Sequence, residues 1–168
     1  RLVDVSHDIE HGRIGQAAFA LENVMDFYPA GAIHLVVVDP TVGSSRRALV
    51  VRGERCVAVG PDNGVFEPLY RRDDWECFEL AERRYQLRQV SSSFHGRDIF
   101  APAAAHLALG VAPEEFGPAV ADPVRQVGGR RKVIGSDRIV GSVVHVDRFG
   151  NLITDITTGE LDMLDTDR

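Results

Sequence analysis

The strongest constraint on the fold is a set of short apolar runs separated by turns and helical patterns. The runs AIHLVVV (32–38), ALVVRG (48–53) and CVAVG (56–60) are strand candidates, and the first is rich in β-branched residues. Runs of that kind are typical of strands buried on both faces of a parallel sheet. Residues 2–5 and the segment WECFEL (75–80) are further strand candidates. The chain is therefore predicted to contain a largely buried sheet.

Helical patterns alternate with these strands. Apolar residues recur at helical spacing over 14–28, a short helical piece is predicted at 65–70, and an alanine-rich helix ends at Gly110. Pro102 lacks a backbone donor and crowds the preceding turn, so it is expected in or near the first turn of that helix. The alternation of strands and helices predicts a layered α/β domain with a largely parallel sheet.

A second domain is expected towards the end of the chain. Residues 118–132 are rich in proline, glycine and charge, which is typical of a linker. Beyond them, RIVGSVVHVD and NLITDIT flank RFG, and two strands joined by a tight turn predict the start of an all-β, barrel-like domain. We therefore predict an N-terminal α/β domain over 1–117 and a C-terminal β domain beginning at 133–168. The strand-like start and the early stop indicate a chain truncated at both ends.

Composition disfavours a nucleic-acid-binding or membrane protein. Of the 168 residues, 44% are hydrophobic and 26% charged, and a net charge of −6 disfavours non-specific binding to nucleic acid. No apolar run is long enough to span a membrane and no leader is visible, so a cytoplasmic location is expected. Cys56 and Cys77 lack the spacing of metal ligands and are interpreted as buried thiols.

The first candidate site follows the apolar run at 32–38. Asp39 comes directly after it, a turn through Pro40 and Gly43 follows, and Arg46 and Arg47 precede the next run. Ligands gather at the carboxyl ends of parallel strands, because the loops there vary freely and helix N-termini point towards them. A nearby arginine would keep the Asp39 carboxylate charged. The alternative interpretation is a structural ion pair at a turn.

The second candidate site is FHGRD (94–98), in the loop before the alanine-rich helix. His95 supplies a titratable group, Gly96 lets the backbone approach a ligand, and Arg97 supplies a cation. The structural alternative is that Asp98 caps the helix while His95 is packed and Arg97 is solvated.

Three weaker motifs remain. PDNG (61–64) is typical of a turn and contains Asn63, and DRFGN (147–151) is a predicted hairpin connection. In the latter, an aromatic ring flanked by an acid and an amide could also clasp a planar base. HDIEH (7–11) resembles a metal-binding segment but has no glutamate in the HExxH position, so surface or turn residues are the favoured interpretation.

Four segments, taken in order, resemble the S-adenosylmethionine hydroxide adenosyltransferases, relatives of the bacterial fluorinase and chlorinase. They are VVVDPTVGSSRRALVV, VGPDNGVF, SSFHGRDIFAPAAAHLA and VVHVDRFGNLITDI, and the resemblance covers nearly the whole chain. It implies hydrolysis of S-adenosylmethionine to adenosine and L-methionine, by attack of water or hydroxide on the ribose C5′, without a metal or a cofactor. By the same resemblance, the catalytic residues are Asp39, Arg46 and His95. Halide-using relatives carry a tyrosine at the position of Asp39, so Asp39 favours the water-using branch.

The resemblance also implies binding residues and an assembly. Asp147 is expected to engage the methionine amino group, and Phe149 and Asn151 to contact adenine, while Asn63 is a weaker binding candidate. In the family the site forms between the first domain of one subunit and the second domain of its neighbour, so a homotrimer is expected. The expected ligand is a small molecule, with no nucleic-acid or membrane partner.

The chemistry of this substrate suits a polar trio. Methionine leaves a sulfonium as a neutral thioether, so the leaving group needs no general acid, and the site must align one oxygen nucleophile and exclude bulk water. His95 either takes a proton from water or orients it, while Asp39 and Arg46 hold the water and tune the histidine. The sequence leaves the formal base open.

Two alternative functions belong to other classes. A non-catalytic module would bind S-adenosylmethionine or adenosine without turnover, and formation of adenosine distinguishes it from the hydrolase. A metal-dependent phosphoesterase would be built on His7, Asp8, His11 and Asp62, and loss of activity to a chelator would favour it.

Overall fold

The computed structural model describes residues 1–72, 74–125, 132–133 and 138–164. Its backbone forms two compact units, Arg1–Gln126 and Val127–Arg168. The elements of the first unit are α1 (Ile14–Val24), β1 (Ala32–Leu35), β2 (Ala48–Gly53), β3 (Cys56–Pro61), α2 (Glu67–Tyr70), β4 (Trp75–Glu79) and α3 (Ala101–Ala108). Those of the second are β5 (Lys132–Val133), β6 (Ile139–Val140), β7 (Val143–Val146), β8 (Leu152–Thr154) and α4 (Thr158–Leu161).

The first unit is built on a four-stranded mixed sheet with the order β1–β3–β2–β4. β1 pairs with β3 in parallel, whereas β2 is antiparallel to both β3 and β4. The predicted α/β class is confirmed, but the expectation of a largely parallel sheet is wrong for the described strands. The reason lies in the connection of β2 to β3 through residues 54–55 alone, because so short a turn can join only antiparallel neighbours.

The sheet is covered on both faces, which makes the first unit a three-layer structure. In β2, Leu49, Val50 and Val51 are all fully buried, although consecutive side chains of a strand point to opposite faces. One face packs against residues of α1, of the 3₁₀ turn that follows it and of α2, namely Ala17, Leu21, Met25 and Leu69. The other face packs against Phe100, Phe116 and the α3 residues Ala103 and Leu107. Burial on both sides explains why β2 is apolar at consecutive positions.

Residues 2–5, predicted as a short buried strand, form no strand in the structure. Leu2 is 98% exposed, and Val3 and Val5 are about half exposed. β1 is an edge strand of the sheet, and residues 2–5 do not pair with it in the described part of the chain. Apolar alternation yields a strand only where a neighbouring strand supplies hydrogen bonds, and here none of the described strands does so.

The three predicted helices of the first unit are present, but one interpretation of a helix end is wrong. α1 continues into a 3₁₀ turn at Met25–Phe27, and Pro102 lies in the first turn of α3, which is preceded by a widened π-type turn at Gly96–Phe100. The structural alternative for Asp98 is wrong, because its carboxylate bonds Ser91 and Arg97 instead of capping the helix. None of the helices described here is long and apolar enough to cross a membrane.

The two cysteines are buried free thiols, as predicted. Burial raises the pKa of Cys56, and it raises the pKa of Cys77 to about 12. A thiol with a raised pKa is a poor nucleophile at neutral pH, so both cysteines act as core residues.

The second unit contains two small antiparallel pairs, β5 with β6 and β7 with β8. The predicted strands on either side of RFG are present as β7 and β8, with an irregularity in register between Val143 and His145. The first of them was predicted as one strand over 138–147, but the structure divides that run into β6 and β7. A short helix, α4, follows them. The barrel-like form of this domain stays a prediction.

His34 is expected to make the fold sensitive to acid. Its side chain is buried in β1, its ring meets the edge of Tyr28 at 5.4 Å, and its Nε2 has no hydrogen-bond partner in the described chain. Burial lowers the pKa of His34 below its ordinary value of 6.5. Below pH 6.5 the His34 ring binds a proton in the unfolded chain but stays unprotonated in the folded chain. The free energy of unfolding therefore falls as the pH is lowered, by at most about 1.4 kcal/mol per pH unit for this group.

We expect His34→Phe to flatten the loss of stability between about pH 7.5 and pH 5, measured as the urea midpoint of the full-length protein at each pH. His7→Phe is the matched control, because the His7 side chain is 83% exposed and its removal should leave the slope unchanged. An equal slope in His34→Phe and the parent protein would contradict the assignment.

Candidate active site

Three chain segments meet at one edge of the mixed sheet. Asp39 follows the carboxyl end of β1, Arg46 lies just before β2, and Asn63 follows the carboxyl end of β3. β1 and β3 run in parallel and β2 runs against them, so the ends of the first two and the start of the third lie at the same edge. The topology therefore brings these side chains together although the sheet is mixed.

Asp39 and Arg46 form a nearly buried ion pair. Arg46 donates from Nε to Asp39 Oδ2 at 2.9 Å and from Nη2 to the same oxygen at 2.5 Å. The Arg46 side chain is 8% exposed and the Asp39 side chain is 5% exposed. The Thr41 hydroxyl lies 3.3 Å from Asp39 Oδ1, so one carboxylate oxygen holds the arginine and the other is only weakly engaged.

His95 joins this pair through the same guanidinium. It directly precedes the π-type turn before α3, and Arg46 Nη2 lies 2.8 Å from its Nδ1. A guanidinium only donates hydrogen bonds, so this contact requires a lone pair on Nδ1 and assigns the ring proton to Nε2. The structure thus brings the three residues selected from the sequence into one hydrogen-bonded row, Asp39–Arg46–His95.

The Arg46 side chain is fixed from a third side. Its Cζ lies 5.1 Å from the centre of the Phe100 ring, which is fully buried, and Nη1 points to the Arg47 carbonyl oxygen at 3.4 Å. A guanidinium stacked on an aromatic face is held in orientation as well as in position. Phe100 carried no signal as a site residue in the sequence, because a phenylalanine in an apolar segment is typical of the core.

Asn63 connects the end of β3 to the segment that carries Asp39. Its Nδ2 donates to the Val38 carbonyl oxygen at 2.9 Å, and its Oδ1 accepts from the Val65 amide at 3.2 Å. The side chain therefore has a structural task at the edge of the site. A role in binding substrate stays a prediction.

Arg47, the residue after Arg46, forms a separate ion pair with Asp62. Arg47 Nε donates to Asp62 Oδ2 at 2.7 Å and Nη1 to Asp122 Oδ1 at 2.8 Å, while the Val124 amide donates to Asp62 Oδ1 at 2.7 Å. These bonds fasten residues 122–124 to the sheet. Sequence reasoning missed this role of Arg47, and the adjacent arginines of SSRR are the signal that could have indicated it.

The histidines near the start of the chain lie apart from this arrangement. His7 pairs with Asp4 at 3.4 Å in solvent, and Asp8 and His11 are also exposed. Asp62 is engaged by Arg47. Over residues 1–72, 74–125 and 138–164, no group of three His, Cys, Asp or Glu side chains is placed to hold a metal ion. The phosphoesterase alternative thus gains no support from the described residues.

In the second unit, Asp147, Phe149 and Asn151 lie in the turn between β7 and β8. Asp147 Oδ1 accepts from the Phe149 and Asn151 amides, each at 2.8 Å, and Oδ2 accepts from Asn151 Nδ2 at 2.7 Å. The Asn151 side chain and the turn amides lower the pKa of Asp147. The turn thus holds an ionised carboxylate in place and leaves the Phe149 ring 85% exposed.

Comparison with known proteins assigns the chain to a family. A sequence profile of the SAM hydroxide adenosyltransferase N-terminal domain matches residues 1–117. The chain belongs to this family. The relationship expected from the four sequence segments is therefore confirmed.

Individual relatives support this assignment. An (R)-S-adenosyl-L-methionine hydrolase from Thermus thermophilus is 41% identical over 91% of this chain and 62% of its own length. A fluorinase from Nocardia brasiliensis is more distant, at 23% identity over 97% of this chain and 63% of its own length. The crystal structure of an uncharacterized conserved protein from Thermotoga maritima superposes with a TM-score of 0.85 at 33% identity, covering 93% of this chain and 60% of that one. The chain spans less than two thirds of each of these relatives.

We expect Asn63→Asp to destabilise the fold by about 1–3 kcal/mol, because a carboxylate would face the Val38 carbonyl oxygen where an amide N–H now donates. Urea unfolding of the full-length protein measures this change. Asn23→Asp is the matched control, since Asn23 donates the same kind of bond to the Phe19 carbonyl oxygen on an exposed helix face, and it should cost less than about 0.5 kcal/mol. Equal costs at the two positions would disprove the bracing role of Asn63.

Proposed function

We propose that the protein containing this chain hydrolyses S-adenosyl-L-methionine to adenosine and L-methionine. The observation that carries the proposal is the row Asp39–Arg46–His95 at the edge of the sheet, with its ion pair nearly buried and Nδ1 of His95 facing Arg46. The name of the Thermus thermophilus relative supports the choice of substrate. The proposal needs no metal or cofactor, because the leaving group departs as a neutral thioether.

The proposed reaction is an in-line displacement at the ribose C5′. The water oxygen forms a bond to C5′ while the C5′–S bond breaks, and the bonding electron pair passes to sulfur, which becomes the neutral thioether of methionine. The water gives up one proton, so the site needs one acceptor close to the attacking oxygen. Aligning water with the C–S bond and keeping out other water molecules supplies most of the rate enhancement.

Asp39 is proposed as the proton acceptor, and His95 as the donor that orients water. Oδ2 of Asp39 is engaged by Arg46, while Oδ1 has only the weak Thr41 contact and can accept a further hydrogen bond. Nδ1 of His95 is engaged by Arg46, so the ring can take no proton there, and Nε2–H is left to donate to the water oxygen. Arg46 holds both groups and balances the charge of the carboxylate.

The second unit is proposed to bind the two ends of the substrate. Asp147, ionised by its turn, would pair with the methionine ammonium group, and the exposed Phe149 ring would stack on adenine, with Asn151 bonding the base. Asn63 is a further binding candidate. The homotrimer is likewise part of the proposal, and light scattering on the full-length protein tests it.

The central experiment follows adenosine formation by the full-length protein, with each sulfonium epimer of S-adenosyl-L-methionine supplied separately. We expect Asp39→Ala and His95→Ala each to lower turnover by at least about tenfold, or about 1.4 kcal/mol of barrier, without loss of fold. Asp8→Ala and His7→Ala are matched controls at exposed positions and should retain activity, as should the parent protein in a chelator. Full turnover in both trio variants would remove the proposed site.

Two conservative variants separate the roles within the trio. Asp39→Asn should be as impaired as Asp39→Ala, because an amide cannot accept the proton. His95→Gln should retain more activity than His95→Ala, because its side-chain N–H can still donate to water. The reverse ranking would make His95 the base. Tight binding without any adenosine in the parent protein would favour the non-catalytic module, and 5′-chloro-deoxyadenosine formed with chloride would contradict the use of water.

Phe149→Ala is expected to raise KM about tenfold with little change in kcat, because a stacked base contributes roughly 1–3 kcal/mol to binding in both the ground state and the transition state. Steady-state kinetics of the full-length protein measure both constants. Phe27→Ala is the control, since Phe27 is similarly exposed, at 87%, but lies after α1. A fall in kcat alone would contradict a purely binding role for Phe149.

A further inference from the structure

Asp98 is fully buried in the first unit, and the proposed chemistry does not use it. It belongs to the FHGRD segment, three residues after His95, and it lies inside the π-type turn Gly96–Phe100. A buried carboxylate needs hydrogen-bond donors, and the donors that Asp98 uses show which part of the chain it holds.

The Asp98 side chain fastens the segment 87–94, which leads directly into His95. Its Oδ2 accepts from the Ser91 amide and from the Ser91 hydroxyl, each at 2.8 Å. The same hydroxyl accepts from the Phe94 amide at 3.0 Å. Ser91 thus links the carboxylate to the residue next to His95.

The Asp98 backbone holds the same segment from two more points. Its amide donates to the Phe94 carbonyl oxygen at 2.9 Å, and its carbonyl oxygen accepts from the Leu87 amide at 2.8 Å. In a regular helix that carbonyl would accept from residue 102, but Pro102 has no amide hydrogen. The proline therefore leaves the Asp98 carbonyl open to Leu87.

The segment 87–94 also touches the turn that carries Asp39 and Arg46. Gly43 has a φ of +80° and packs so closely on Ser92 that a Cβ at this position would lie 2.4 Å from the Ser92 carbonyl oxygen. The two loops can lie this close together because Gly43 has no side chain. Any side chain at this position would push them apart.

We propose that Asp98, acting through Ser91, is a positioning residue that holds the His95 imidazole against Arg46. The inference rests on the proposed function, since it concerns the geometry of the same site. Asp98 itself touches neither Asp39 nor Arg46 among the contacts described above. Its effect is to fix the backbone on both sides of Phe94, so that His95 Nδ1 stays within reach of Arg46 Nη2 and Nε2–H keeps its direction.

A carboxylate suits this position better than an amide would. Arg97 donates from Nε to Asp98 Oδ1 at 2.6 Å and from Nη2 to Oδ2 at 3.2 Å. Arg97 and then Ser91 lower the pKa of Asp98, so it stays ionised throughout the range in which the enzyme would act. An asparagine would turn its NH₂ group either to Arg97 or to Ser91, and would thus lose one of the two partners.

The test compares Ser91→Ala, Ser91→Thr and Asp98→Asn in the full-length protein. We expect Ser91→Ala to lower kcat about fivefold, with KM within about twofold of the parent value. Ser91→Thr should have a kcat close to that of the parent protein, because threonine keeps the hydroxyl. Asp98→Asn should lower kcat at least about tenfold. Gly43→Ala should act in the same direction by separating the loops.

Nitrogen-15 NMR of the His95 ring supplies a readout that a general loss of stability would not move. In the parent protein we expect an unprotonated Nδ1 and a protonated Nε2, and in Ser91→Ala a mixture of the two tautomers. Asp26→Asn is the matched control, because it removes one of the two bonds of a pair with Arg72 that involves neither loop of the site, and it should change neither kcat nor the spectrum.

The outcomes separate this inference from the proposed function. If the parent protein forms no adenosine, the proposed function fails, and the NMR comparison still decides whether Asp98 and Ser91 position the ring. If the parent is active and a folded Ser91→Ala has parent kcat and a parent His95 spectrum, the positioning role is overturned while the function stands. Ser91→Ala alone decides the matter if Asp98→Asn fails to fold.

Discussion

The site depends on one guanidinium that is shared between an acid and an imidazole. Arg46 bonds the Asp39 carboxylate with two nitrogens, and one of these also reaches His95. Because a guanidinium only donates, its neighbours on both sides must accept, so Asp39 Oδ2 and His95 Nδ1 each present a lone pair to Arg46. Lysine could not replace it, since a single ammonium group lacks the planar fork that meets two partners in fixed directions.

The fold serves this interaction by supplying three chain segments at one sheet edge. The short turn between β2 and β3 forces these strands to be antiparallel, so the start of β2 lies beside the ends of β1 and β3. The two arginines that precede β2 then bind different carboxylates. Arg46 enters the proposed site, while Arg47 holds Asp62 and the segment 122–124 behind it.

The sequence predicted much of this arrangement, for identifiable reasons. The helices, the strands β1 to β4 and the hairpin around RFG follow from apolar periodicity. Asp39 and His95 were candidates from their motifs, and the choice of Arg46 as their partner came from the family resemblance. The sequence did not predict the mixed sheet, because apolar runs carry no information on strand direction. It offered a helix cap as the structural alternative for Asp98, because a cap and a residue that holds a loop have the same sequence pattern just before a helix. The two differ in whether Ser91 lies close enough to bond the carboxylate.

Charge balance links the buried pair to the proposed substrate. S-adenosylmethionine brings a positive sulfonium, so an uncompensated cation beside it would oppose binding. Arg46 is paired with Asp39, so the positive charge of the guanidinium is compensated within the row. As the C–S bond breaks, positive charge moves from sulfur towards the attacking oxygen. The Oδ1 lone pairs of Asp39, the least engaged acceptor in the row, are the group best placed to stabilise that charge.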